Sequence, residues 1–351
     1  TDRQTDRQTD RQTDRQTELS NCTFVKTILM LLVVLYHAIL YWNGNWFVGE
    51  PAYSAPGLPV AARWLNSFLI YAFTLVSGYL FYHVKFEKGR YDRFLSFAAN
   101  KAKRLLVPYL FVSAVWAVPF AVYFSKYDTA DVMKDFVLGA SPAQLWFLLM
   151  LFGVFVIFYP LSGFFQKHDI AGAAAVILIY GLGLVVQINV FQFSHVCIYI
   201  PFFWLGFKLR QHKTLWLRKI PVLIWLLADV VLFSAVECLS ERSGVMLSLL
   251  HRGFTFLLHI VGALTAFLVL QRIACRVRWK ESRAFALFSK NSMPIYLFHQ
   301  QIVYVLIYWL NGVLNPYVHA AVSFIGAVLA SLLISVIMTS FKWTRLLVGE
   351  K

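Results

Sequence analysis

KTILMLLVVLYH, residues 26–37, decides how the rest of the chain is read. Between Lys26 and His37 every residue is apolar except Thr27 and the hydroxyl tip of Tyr36. The two polar residues are eleven positions apart, which at 3.6 residues per turn is close to a whole number of turns. The lysine and the imidazole therefore share one face of a helix, roughly 16 Å apart along its axis. Such a run places the lysine at a membrane edge and the imidazole well inside the span. A histidine in hydrocarbon is costly, so it either serves a functional site or hydrogen-bonds a neighbouring helix; spacing alone favours neither.

Composition generalises the reading. Of 351 residues, 59% are hydrophobic, 17% aromatic and only 14% charged, with a mean hydropathy of +0.64; a soluble domain carries nearer a quarter charged residues. Apolar runs of about 20 residues, enough to cross a bilayer as a helix, recur throughout. The expected fold is all-α and polytopic, with about ten transmembrane helices over residues 24–42, 63–84, 105–124, 143–160, 170–188, 194–210, 220–238, 247–270, 292–311 and 317–341. The sixth contains Pro201 and is expected to be kinked or tilted.

A net charge of +15 would suit a nucleic-acid binder, but its distribution argues for membrane topology and no nucleic-acid partner. Lys85, Lys88, Arg90, Arg93, Lys101, Lys103 and Arg104 crowd one connection, with five more basic residues in 208–219 and six in 272–290. The opposite side has only Arg63, Lys126, Lys134, Arg242 and Arg252. The positive-inside rule then places both termini in the cytoplasm and His37 in the outer half of the membrane.

Residues 1–16 are four copies of Thr-Asp-Arg-Gln, and residues 1–20 are expected to be a disordered tail before a membrane domain of residues 21–351. The four-base unit ACAG, read continuously, encodes this tetrapeptide in every frame without a stop. The first methionine is Met30, inside the first span, so the tract reads as a translated DNA repeat. Loss or gain of one unit would shift the frame, which predicts on–off phase variation; the alternative is a translation start after the tract. Cys22, Cys197, Cys238 and Cys275 have no paired or metal-ligand spacing, and the nine histidines form no ligand motif, so no metal is expected. No glycine-rich phosphate loop and no nucleophile elbow is present.

Further polar residues stand out against this background. Lys101 and Arg104, in NKAKRLLVPY, are three apart and share a helix face, a pattern also common at ordinary lipid-headgroup contacts. Ser77 and Gly78 lie in the second span, where a small pair admits a neighbouring helix or a thin ligand. Asp229, His259 and His299 lie deep, the last one turn beyond Pro294. Each must be paired, neutral or facing water.

Lys26 and His37 in a first helix reading LLVVLYH, Lys101 and Arg104 before Val107-Pro108-Tyr109, Ser77-Gly78-Tyr79, QLWFL at 144–148, PFFWLGFKL at 201–209 and SMPIYLFH at 292–299 together resemble the acyltransferase-3 family of integral membrane O-acyltransferases. Lysine stands at positions 26 and 101 where that family usually has arginine, which keeps the charge but loses the bidentate fork. The resemblance implies an acyltransferase moving an acyl group, most simply acetyl from acetyl-CoA, to a hydroxyl of a cell-envelope glycan such as lipopolysaccharide or exopolysaccharide. It implies His37 as the catalytic general base and Lys26, Lys101 and Arg104 as binders of the CoA phosphates. Ser77, Gly78, Trp146, Asp229 and His299 are candidates to line the cavity. The implied partners are acyl-CoA, the glycan and membrane lipid, and the implied location is the bacterial cytoplasmic (inner) membrane. A transporter or flippase of lipid-linked sugars is the competing class, since buried histidine and aspartate with an internal proline suit it as well.

Overall fold

In hydrocarbon only intrachain hydrogen bonds satisfy the backbone, so each long apolar run is driven to a helix. The computed structural model describes residues 2–44, 49–124, 128–140, 143–212, 217, 219–240 and 244–350, with side chains from residue 17 onward. In chain order the helices are α1 (Asp2–Leu40), α2 (Gly57–Tyr82), α3 (Phe94–Val112), α4 (Val118–Phe124), α5 (Thr129–Val137), α6 (Trp146–Lys167), α7 (Asp169–Val185), α8 (Phe193–His212), α9 (Val222–Ser240), α10 (Val245–Arg276), α11 (Arg283–Lys290), α12 (Ser292–Leu310), α13 (Pro316–Ser340) and α14 (Lys342–Leu347). No strand occurs among the described residues.

The chain is a polytopic all-α membrane protein. Among the described residues eight helical segments are long and apolar enough to cross a bilayer, two of them extended to 31 residues by π-helical turns at His83–Glu87 and Ser113–Ala117. The other two expected spans coincide with α7, which has 17 residues, and α12. In α12 the adjacent polar residues His299, Gln300 and Gln301 dilute an otherwise apolar run. Pro201 sits buried inside α8 without interrupting the helix. The backbone of α1 runs back to Asp2, through the repeat where a disordered tail is expected; the side chains of residues 1–16 lie outside the described residues. So do Lys126, Lys213, Arg218 and Arg242 of the basic count, and Trp46, expected as an interfacial aromatic at the end of the first span.

Packing puts α1 in the middle, against α2, α10, α12 and α13. The closest pair is α2 with α8: a Cβ at Gly78 would collide with the backbone of Phe203, and one at Gly206 with the backbone of Leu75. Two glycines facing each other's helix let the backbones touch, the small-residue mode of association in membranes. At the end of the bundle that carries the 85–104 connection, Arg210 of α8 is 4% exposed and forks onto Glu87 at 2.9 and 2.7 Å while donating to the Tyr79 hydroxyl at 3.0 Å. This clamp locks α8 to both α2 and its π-helical extension. α9 lies at the periphery with Asp229 as its buried residue.

Candidate active site

Lys26 enters from α1, and Lys101 and Arg104 from adjacent turns of α3. They meet on a cavity of about 330 Å³ whose walls include Ser77, Met30, Tyr91 and Phe155. The Lys101 ammonium sits 3.8 Å from the centroid of the Phe155 ring, a cation–π contact that holds the charge at the cavity wall. None of the three cations forms an ion pair among the described residues. Glu350, beyond α14, is a carboxyl that feels two of them: burial raises its pKa, and the charges of Arg104, Lys290 and Lys26 partly pull it back. Three converging cations beside apolar walls suit a ligand with an anionic head and a slender apolar arm.

A second cavity, of about 250 Å³, opens deeper along α1 and is lined by His37, Tyr36, Asn66, Gln144, Trp146 and Gln300. The two share four wall residues, Val33, Ile70, Phe147 and Tyr296. Val33 is one turn before His37, so a ligand reaching past this collar arrives at the imidazole. No charged residue lines the second cavity apart from the titratable His37.

Hydrogen bonding assigns the tautomers. Nδ1 of His37 lies 2.8 Å from the Val33 carbonyl oxygen, which can only accept, so that nitrogen carries a proton. Nδ1 of His299 lies 2.7 Å from the Tyr296 carbonyl oxygen and is protonated for the same reason. Nε2 of His299 then accepts from His37 Nδ1 across 3.1 Å. The basic nitrogen of His37 is therefore Nε2, and this half-buried ring lines the cavity.

A glutamine network forms the floor opposite. Gln144 Nε2 donates to the Leu297 carbonyl at 2.8 Å and to Gln301 Oε1 at 3.0 Å, and its backbone N–H donates to Gln300 Oε1 at 2.9 Å. The Tyr296 hydroxyl donates to the Gln144 carbonyl, and Gln300 donates to the Tyr304 hydroxyl. The network ties the start of α6 to α12, and so fixes Trp146 relative to the histidine pair.

The structure thus brings together Lys26, Lys101, Arg104 and Ser77 at one cavity and His37 and Trp146 at the other. His299 does not line either cavity; it is fully buried behind His37. Gly78 is consumed by the α2–α8 contact. Asp229 is 2% exposed and accepts from Trp64 Nε1 at 2.8 Å, joining α9 to α2 away from both cavities. His259 bonds the Ser67 carbonyl at 2.7 Å and stacks on Tyr71. Sequence reading missed Gln144, Gln300 and Tyr296. The signal available was periodic: Tyr296, Gln300 and Tyr304 recur every four residues and so line one face of α12.

A family model described as an acyltransferase domain matches residues 21–340. No curated protein matches, and no solved structure does.

Proposed function

The chain belongs to the acyltransferase-3 family and is a multi-pass membrane acyltransferase, and on that premise we propose that it transfers acetyl from acetyl-CoA to a hydroxyl of a cell-envelope glycan. The family match decides for an enzyme over the transporter expectation. The observation that carries the reading is the pair of cavities with a common wall, cations at one end and an imidazole at the other. Lys26, Lys101 and Arg104 would hold the CoA phosphates, and the pantetheine arm, comparable in length with the Lys26–His37 separation, would carry the thioester past Val33 and Phe147. There His37 Nε2 takes the proton as the acceptor oxygen attacks the thioester carbon. The carbon–sulfur bond then breaks, and His37 returns the proton to the departing CoA thiolate. Proximity and exclusion of water supply much of the remaining acceleration.

The second cavity supports this substrate class. Acyl group and acceptor hydroxyl must share about 250 Å³, which favours a short acyl chain. Its polar walls are neutral, and Trp146 and Tyr36 offer ring faces, which favours an uncharged sugar unit. Basic connections facing the cytoplasm would put the donor cavity there, and the enzyme in a bacterial inner membrane modifying lipopolysaccharide or exopolysaccharide. Surface-exposed acceptors fit on–off switching by slippage, which requires that an uninterrupted ACAG tract encode the Thr-Asp-Arg-Gln repeat of residues 1–16. Sequencing the locus from many single colonies tests that part: varying repeat number is expected, and a fixed number or interrupted ACAG codons would overturn it.

The direct test of the chemistry is His37→Ala. Acetyl transfer to surface glycan, read as acetyl mass by mass spectrometry, should vanish while the protein still accumulates in the membrane. Substantial transfer at wild-type protein levels removes His37 from the catalytic role.

A further inference from the structure

The ring of His299 touches that of His37, although His299 lines neither cavity. It approaches from behind, out of the reach of any ligand, with no exposed surface. Its own orientation is determined locally: Nδ1 donates to the Tyr296 carbonyl one turn back on the same helix, which commits Nε2 to accepting. Because α12 packs directly on α1, that lone pair is aimed at His37 Nδ1. The two ring planes are inclined at 62° with centroids 4.9 Å apart, an edge-on approach rather than a stack.

We propose that His299 is a positioning residue for His37, holding it in the Nδ1–H tautomer so that Nε2 is presented to the acceptor hydroxyl as base. This rests on the reading of His37 as general base. Two acceptors, the Val33 carbonyl and His299 Nε2, converge on one N–H. A flipped ring or the Nε2–H tautomer would face that lone pair and that carbonyl with no proton to give. When Nε2 gains the acceptor's proton, positive charge spreads over the ring, and the same two acceptors stabilise it at Nδ1–H. A buried base oriented by a third group is a recurrent device; here the third group is a neutral imidazole in place of a carboxylate, which avoids placing a full negative charge in the membrane.

The test uses the full-length protein in nanodiscs, with acetyl-CoA as probe and release of CoA thiol as readout, water serving as acceptor. His299→Leu removes the acceptor atom, whereas Gln at this position places Oε1 where Nε2 stands. The expected result for His299→Leu is a fall in kcat of about 10- to 100-fold, the size typical for loss of a group that orients a functional histidine, with KM for acetyl-CoA unchanged. His299→Gln should recover most of that loss. Equal losses in both variants, or a rise in KM with kcat retained, would overturn the proposal. His37→Ala run alongside separates the two claims: if it retains turnover, the base assignment fails. If it is inactive while His299→Leu keeps full kcat, only the positioning role fails. Should either His299 variant not fold, nitrogen-15 NMR of histidine-labelled wild-type protein decides, with His37 assigned by the signals lost in His37→Asn. An unprotonated Nε2 at His37 is expected, and an Nε2–H resonance there refutes the proposal.

Discussion

At the scale of single residues, chemistry follows from what surrounds a side chain more than from its type. Lys26 and Lys208 are both lysines in apolar helices, yet Lys208 is spent on Asp169 while Lys26 faces a cavity with two further cations. Lys26→Arg should keep acetyl-CoA affinity, since it retains the charge and adds the fork usual in the family. Lys26→Ala should raise KM for acetyl-CoA about ten- to hundredfold, the loss expected for a hydrogen bond to a charged group. Steady-state kinetics on both variants checks this, and an unchanged KM in Lys26→Ala would move the phosphate site elsewhere. Gly78 makes the converse point. Beside Ser77 it looks like room for a ligand, but the room is already taken by Phe203 of α8.

At the scale of elements, the α2–α8 seam and the polar middle of α12 do most to place the site. The seam depends on hydrogen at two Cα positions. Gly206→Leu should therefore destabilise the bundle by about 3 kcal/mol or more, at the upper end of overpacking penalties. Gly181→Ala on α7, where nothing lies within 4 Å, is the internal control and should leave the melting temperature unchanged or slightly raised. A melting temperature for Gly206→Leu equal to wild type would show that the helices can part without loss. In α12 the residues that lower its hydropathy, His299, Gln300 and Gln301, are those that bond to His37 and Gln144. Polar groups in a span are tolerated only when another helix satisfies them, so the polar middle of α12 marks a helix that packs on the histidine of α1.

At the scale of the whole molecule, the prediction is orientation. Lys26, Lys101 and Arg104 open at the same end of the bundle as the basic 85–104 connection, so donor access and positive-inside topology stand or fall together. With Cys22, Cys197, Cys238 and Cys275 replaced, a cysteine at Lys88 should be shielded from impermeant thiol reagents in intact cells, and one at Asp131 should react. Both positions are exposed in the fold. Labelling in the opposite pattern would put the cationic cavity on the outside, where no acyl-CoA is available.

The sequence by itself determined that this is a helical membrane protein of the acyltransferase-3 family, because hydrocarbon leaves the backbone few options and span length is written directly in apolar runs. Through the family resemblance it also singled out Lys26, His37, Lys101 and Arg104, where spacing alone left His37 undecided and fitted Lys101 and Arg104 equally to lipid-headgroup contacts. Only the tertiary structure decided which of the other deep polar residues work together. Asp229 and His299 look alike as isolated polar residues in a span, but α9 leaves the first on the rim with Trp64, and α12 brings the second onto His37 across 262 positions of chain. Contacts between α1, α6 and α12 depend on how whole helices cross, which is set by summed packing along each seam, and no local periodicity encodes that.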